Sequence, residues 1–64
     1  MTIQEIATRC YAAISSSRKP VTIMEIVKAT GLTKSDAHKG VRVLMADGEL
    51  YHFLDDTTNS WSVR

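Results

Sequence analysis

Lys34, Ser35, His38, Lys39 and Arg42 fall in one short stretch at helical spacing. At roughly 100° per residue, Ser35, Lys39 and Arg42 lie close to one pole of a helix. His38 flanks that pole on one side and Asp36 on the other. Ala37, Val41 and Leu44 occupy the opposite arc. The chemistry of these side chains is compatible with the edges of DNA bases. Lys39 or Arg42 could donate to guanine O6 and N7, Ser35 can serve either edge, and His38 can donate or accept. Asp36 reads as a helix cap, because an unpaired carboxylate in a DNA groove is repelled by phosphate. The same residues also fit a solvated helix face, with Asp36 and Lys39 paired at i, i+3.

A second set could hold phosphates without reading bases. Arg18, Lys19 and Lys28 bring charge, and Thr22 and Thr33 stand at helix starts whose N–H groups attract anions. The net charge of +1 conceals a split. Met1 to Arg42 holds seven basic residues (Arg9, Arg18, Lys19, Lys28, Lys34, Lys39, Arg42) and three acidic ones (Glu5, Glu25, Asp36), or +4. Val43 to Arg64 holds one basic residue (Arg64) and four acidic ones (Asp47, Glu49, Asp55, Asp56), or −3. The excess positive charge lies where DNA would be met.

Other chemistry is poorly supported. Sixty-four residues make one small domain, 1–64, with little concave volume for a substrate, and no phosphate loop or Ser/His/Asp arrangement occurs. The expectation is therefore no enzyme, no cofactor and no small-molecule effector. Cys10 is the only cysteine, and the two histidines are not in a paired spacing, so neither a disulfide nor a metal site is expected. No apolar run approaches the ~18 residues of a membrane helix, and no signal-peptide pattern opens the chain. A reducing, cytoplasmic setting is expected. Met1 and a finished last strand favour a whole small protein.

Three helices must position these residues. Thr2-Ile3-Gln4-Glu5, Thr22-Ile23-Met24-Glu25 and Thr33-Lys34-Ser35-Asp36 each match Ser/Thr-x-x-acid, in which the Thr hydroxyl accepts an amide and the acid reaches back to the Thr N–H. The first helix is predicted over Ile3–Ser16, with Ile3, Ile6, Ala7, Cys10, Ala13 and Ile14 as its apolar stripe and Cys10 a buried structural thiol. The second is predicted over Ile23–Thr30, with Ile23, Ile26 and Val27 inward, and the third over Lys34–Ala46. Only Gly31 and Leu32 separate the second helix from the cap at Thr33, so the two must cross steeply as a helix-turn-helix. Gly40 is odd within a helix; it either admits a neighbouring backbone or keeps the surface flat. Leu50–Leu54, turn residues Asp55–Asn59 and Ser60–Arg64 read as a hairpin, with Trp61 and Val63 covering the core and Val21 adding a short pairing. The fold class is α+β, a winged helix-turn-helix of three helices followed by a β-hairpin wing.

The stretch Pro20 to Lys39 resembles the DNA-binding N-terminal domain of IclR-type transcription regulators. Ala29-Thr30-Gly31-Leu32, Lys34-Ser35 and Ala37-His38 carry most of the resemblance, and Leu44…Asp47-Gly48-Glu49-Leu50 is similar to the end of the recognition helix and start of the wing. The resemblance implies a third helix in the major groove, with Lys34, Ser35, His38, Lys39 and Arg42 as base readers. It does not bring that family's effector-binding domain; small stand-alone phage and plasmid regulators use similar winged helices. Double-stranded DNA is the expected partner, with a homodimer or a partner regulator to gain affinity. The wing departs from the pattern, since its tip carries Asp55 and Asp56 where DNA-binding wings present Arg or Lys. It is not expected to be a DNA arm unless Arg64 serves. Either Tyr51 and Phe53, or Leu50, His52 and Leu54, should face outward. With Asp55 and Asp56, an outward Tyr51 and Phe53 would suit a partner protein, the alternative in which the domain acts as an anti-regulator or adaptor. His52 reads as a half-buried polar residue.

Overall fold

Each helix begins at a threonine, as the capping pattern requires. A computed structural model describes all residues from Met1 to Arg64. Helix α1 spans Ile3–Ser15, strand β1 Val21–Thr22, helix α2 Ile23–Thr30, helix α3 Lys34–Ala46, strand β2 Leu50–Asp55 and strand β3 Thr58–Val63. The hydroxyls of Thr2, Thr22 and Thr33 accept from the amides of Glu5, Glu25 and Asp36 at 3.2, 3.3 and 3.1 Å. Only α2 closes the full reciprocal box, with the Thr22 amide donating to Glu25 Oε1 at 3.0 Å. Glu5 instead meets the Thr2 hydroxyl, at 3.4 Å. Asp36, one methylene shorter than Glu, does not complete the box. The expectation of three reciprocal boxes is corrected to one box and two simple caps.

The α2 box carries a pH signature. The Thr22 amide bond lowers the Glu25 carboxyl pKa from 4.5, assisted by the Thr22 hydroxyl and by Lys19 and Lys28. A carboxylate held below its unfolded value stabilises the fold above that value, and the contribution is lost as pH falls through the folded one. Glu25→Gln keeps the shape and removes the charge. Thermal unfolding should show wild type more stable than Glu25→Gln at pH 7, with the gap closing as the medium falls below pH 4.5. A gap of equal size at low pH would assign it to shape alone.

The apolar stripe of α1 packs on α3. Ile6, Ala7, Cys10 and Ile14 meet Ala37, Val41 and Leu44, with Val21, Ile26, Leu32, Leu50 and Trp61 closing one core. Ile3 was expected in this stripe but is 46 % exposed, because it opens the helix beyond the reach of any partner element. Ile23 and Val27 are half-buried at the core margin. Cys10 is fully buried, with Sγ 3.8 Å from the Ala37 carbonyl, and burial pushes its thiol pKa up. It is a structural thiol.

The sheet order is β1-β3-β2, all antiparallel. Val21 pairs with Trp61, and Leu50 with Val63. The hairpin turn is tighter than expected. Asp55 and Thr58 belong to the strands, and the turn is Asp56-Thr57, with Asp56 in the left-handed region at φ 55°. Aspartate is among the non-glycine residues that enter this conformation most readily. Trp61 is buried and donates Nε1–H to Met45 Sδ at 3.2 Å, tying the hairpin to α3, while Val63 is half-buried. The far end of α3 is tied in by Glu49 N–H to the Leu44 carbonyl at 2.9 Å and Arg64 N–H to the Glu49 carbonyl at 3.1 Å.

Candidate nucleic-acid interface

The turn that aims α3 is built from Thr30, Gly31 and Leu32. Gly31 ends α2 at φ 75°, a conformation glycine adopts without Cβ strain, and its amide bonds the Val27 carbonyl at 2.8 Å. Leu32 plugs the core. The Thr30 hydroxyl donates to the Ile26 carbonyl at 2.7 Å and accepts from the Leu32 amide at 3.2 Å, bracing the turn from inside. The sequence reading missed this role of Thr30; a threonine two residues before the plugging leucine was the available signal.

Helix α3 turns Ala37, Gly40, Val41 and Leu44 into the core. Lys34, Ser35, His38, Lys39 and Arg42 are all exposed. Ser35, His38, Lys39 and Arg42 share an arc of about 100° on the helix. Asp36 is half-buried at the edge of this face, its amide capped by Thr33. The structure thus brings four of the five sequence-predicted base readers onto one solvent-exposed strip, while Lys34, in the first turn of α3, lies outside that arc and faces the hairpin.

Arg18, Lys19 and Lys28 are exposed around the start and body of α2, and Lys19 and Lys28 both act on the Glu25 carboxylate. At the α2 N-terminus, the Thr22 amide and hydroxyl both donate to Glu25. That carboxylate occupies the place where a phosphate would come, which weakens the phosphate-holding role expected of Thr22. No such carboxylate reaches back to Thr33.

The hairpin meets α3 across an open groove of about 360 Å³. Thr22 lines it from β1, Ile23 and Met24 from α2, Lys34 and His38 from α3, and Thr57, Thr58, Asn59 and Trp61 from the hairpin. Reading the wing by its charged tip overlooked these neutral donors beside α3. Arg64 lies over the Tyr51 ring, 5.1 Å from its centroid, at the base of the hairpin.

Sequence alternation left one side of β2 to be chosen as outward. Beyond buried Leu50, both sides are exposed. Tyr51 and Phe53 are 50 % and 45 % exposed with ring centroids 6.5 Å apart, and Leu54 is 66 % exposed. The hairpin extends past the core, so neither side finds cover at its outer half. His52 is exposed, not half-buried. Its ring stacks on Trp61 at 5.4 Å, and Nε2 bonds Asn59 Oδ1 at 2.8 Å.

Two helices joined by a Gly31-Leu32-Thr33 turn, a basic outward helix and a three-stranded winged sheet define a winged helix-turn-helix domain of the kind that binds DNA. The chain belongs to the IclR helix-turn-helix domain family, which matches residues 12–52 and so covers α2, α3 and the start of the wing. At the level of that family it is a DNA-binding transcription-regulator domain. No curated protein and no solved structure matches the chain significantly. No helix is long and apolar enough to cross a membrane.

Proposed function

We propose that this domain is a sequence-specific transcription regulator that inserts α3 in the major groove of double-stranded DNA. The exposed strip of Ser35, His38, Lys39 and Arg42, backed by a fully core-facing opposite side, carries the reading. Lys39 and Arg42 donate to guanine edges, while Ser35 and His38 adapt to neighbouring bases. Lys34 stands at the mouth of the groove toward the wing. Arg18, Lys19, Lys28 and the N-terminus of α3 at Thr33 hold phosphates on either side. Thr57, Thr58 and Asn59 line the groove and add neutral phosphate contacts across it. One such helix buries little surface, so a homodimer or paired sites supply the affinity. The domain acts where the genome is, in the cytoplasm of a bacterial, phage or plasmid host system.

Selection of random duplexes by the pure protein tests the proposal. It should enrich a short motif, and two inverted copies of it would report a dimer. Binding to the selected duplex should weaken with salt at a slope of log K on log salt of about −4 to −5, for roughly five phosphate contacts. Failure to enrich any motif would overturn sequence-specific reading. A slope near zero would overturn the phosphate contacts.

A further inference from the structure

Strand β2 is the outer strand of the sheet, so one of its edges has no neighbour. The register decides which backbone groups that edge offers. Antiparallel pairs alternate between residues that exchange bonds and residues that do not. Arg64 N–H bonds the Glu49 carbonyl, so the pairs Glu49–Arg64, Tyr51–Ser62, Phe53–Ser60 and Asp55–Thr58 face inward. Leu50, His52 and Leu54 therefore turn their N–H and C=O groups to the open edge. None of the backbone bonds made outside helices and strands engages them.

Natural edges are guarded by Lys, Pro or a bulge. The run Tyr51-His52-Phe53-Leu54 has no Lys or Pro, and its pairing with β3 continues without a bulge. Apolar side chains flank the edge on both sides, with Tyr51 and Phe53 on one and Leu54 on the other. The ends are different: Glu49 lies at one, beside Arg64 held over the Tyr51 ring, and Asp55 and Asp56 lie at the other, all exposed.

That charge pattern chooses the occupant. A second copy paired antiparallel about His52 would set Glu49 against Asp55, and a parallel in-register copy would stack the same acids, so like charges oppose either arrangement. We propose that the free edge of β2 docks an extended strand of a partner protein, aliphatic at its centre and basic at both ends. The strand exchanges backbone bonds with Leu50, His52 and Leu54. Its central side chains cover Tyr51, Phe53 and Leu54, and its basic ends meet Glu49 and Asp55–Asp56. This surface is separate from the base-facing strip of α3 and does not rest on the DNA reading.

The probe is a synthetic peptide of alternating Val and Thr with Lys-Arg at each end, added to the full isotope-labelled chain and followed by NMR. The expected result is slowed amide exchange at His52 and Leu54, with Tyr51 and Phe53, already bonded to β3, little changed. A peptide with Glu-Asp ends should bind about tenfold more weakly, from several exposed charge pairs acting together. Asp55→Lys/Asp56→Lys should reduce or reverse that preference. His52→Pro, which deletes an outward N–H but no β3 bond, should abolish docking. Lys39→Ala/Arg42→Ala should leave it unchanged. Equal binding of the two peptides, shifts centred on α3, or no binding would overturn the proposal. Concentration-dependent protection of the same amides without peptide would also overturn it, in favour of a second copy.

Discussion

Replacing Lys39 and Arg42 together by Ala is expected to weaken binding to the selected duplex by about 2–6 kcal/mol, roughly thirtyfold to twenty-thousandfold. Each side chain is on the exposed pole of α3, and each bidentate pairing with a base discriminates by about 1–3 kcal/mol. The two are neighbours three residues apart, so their losses need not add. The fold should not suffer. Both positions are exposed, alanine is the best helix former, and surface changes of this kind stay within about 0.5 kcal/mol. The duplex comparison separates reading from attraction. Base-reading side chains protect the selected sequence against a scrambled one, so their loss should narrow that ratio. Lys28→Ala, on α2, should weaken both duplexes alike and reduce the salt slope by about one. Unchanged binding by the double variant would mean that α3 is not the reader.

The contrast between these variants follows from how the chain encodes its surfaces. Bounds for α2 and α3 and the tight Gly31-Leu32 connection could be read directly, because capping threonines, a glycine at the helix end and helical periodicity are local signals. The outward strip of α3 followed from the same periodicity, since placing Ala37, Val41 and Leu44 inward places Ser35, Lys39 and Arg42 outward. The hairpin was harder. Alternation says that Tyr51 and Phe53 oppose His52 and Leu54, but not where the core ends beneath them. Exposure of both sides depends on how far β2 outruns α1 and α3, a tertiary quantity. The groove between α3 and Thr57–Asn59 is likewise set by the angle of the hairpin, which Trp61 fixes through Met45. Glu25 closing on Thr22 depends on side-chain reach, and the Ser/Thr-x-x-acid pattern does not separate Glu from Asp.

Gly40 shows the same limit most clearly, and its replacement by Ala should have the largest effect on stability. Helix propensity alone predicts that Gly40→Ala stabilises α3 by about 1 kcal/mol. The packing predicts the reverse. A Cβ there would stand 2.6 Å from Cys10 Sγ, 3.0 Å from Ile6 Cγ2 and 3.1 Å from the Ile6 carbonyl oxygen. Neither obstacle yields easily, since Cys10 is fully buried and the carbonyl belongs to the backbone of α1. The two helices must part, and overpacking of this kind costs about 1–3 kcal/mol. In a domain this small that lowers Tm by roughly 4–24 °C. Cys10→Ala removes the closest atom, so Gly40→Ala in that background should cost less than in wild type, with a coupling of about 0.5–3 kcal/mol in a urea-unfolding double-mutant cycle. Rescue stays partial because the Ile6 carbonyl remains. Gly40 lies between His38–Lys39 and Arg42 in α3, so a parted helix also carries the base-facing strip away from its supports. A more stable Gly40→Ala would show that propensity outweighs contact here, and that the close approach of α1 to α3 does not set the position of the strip.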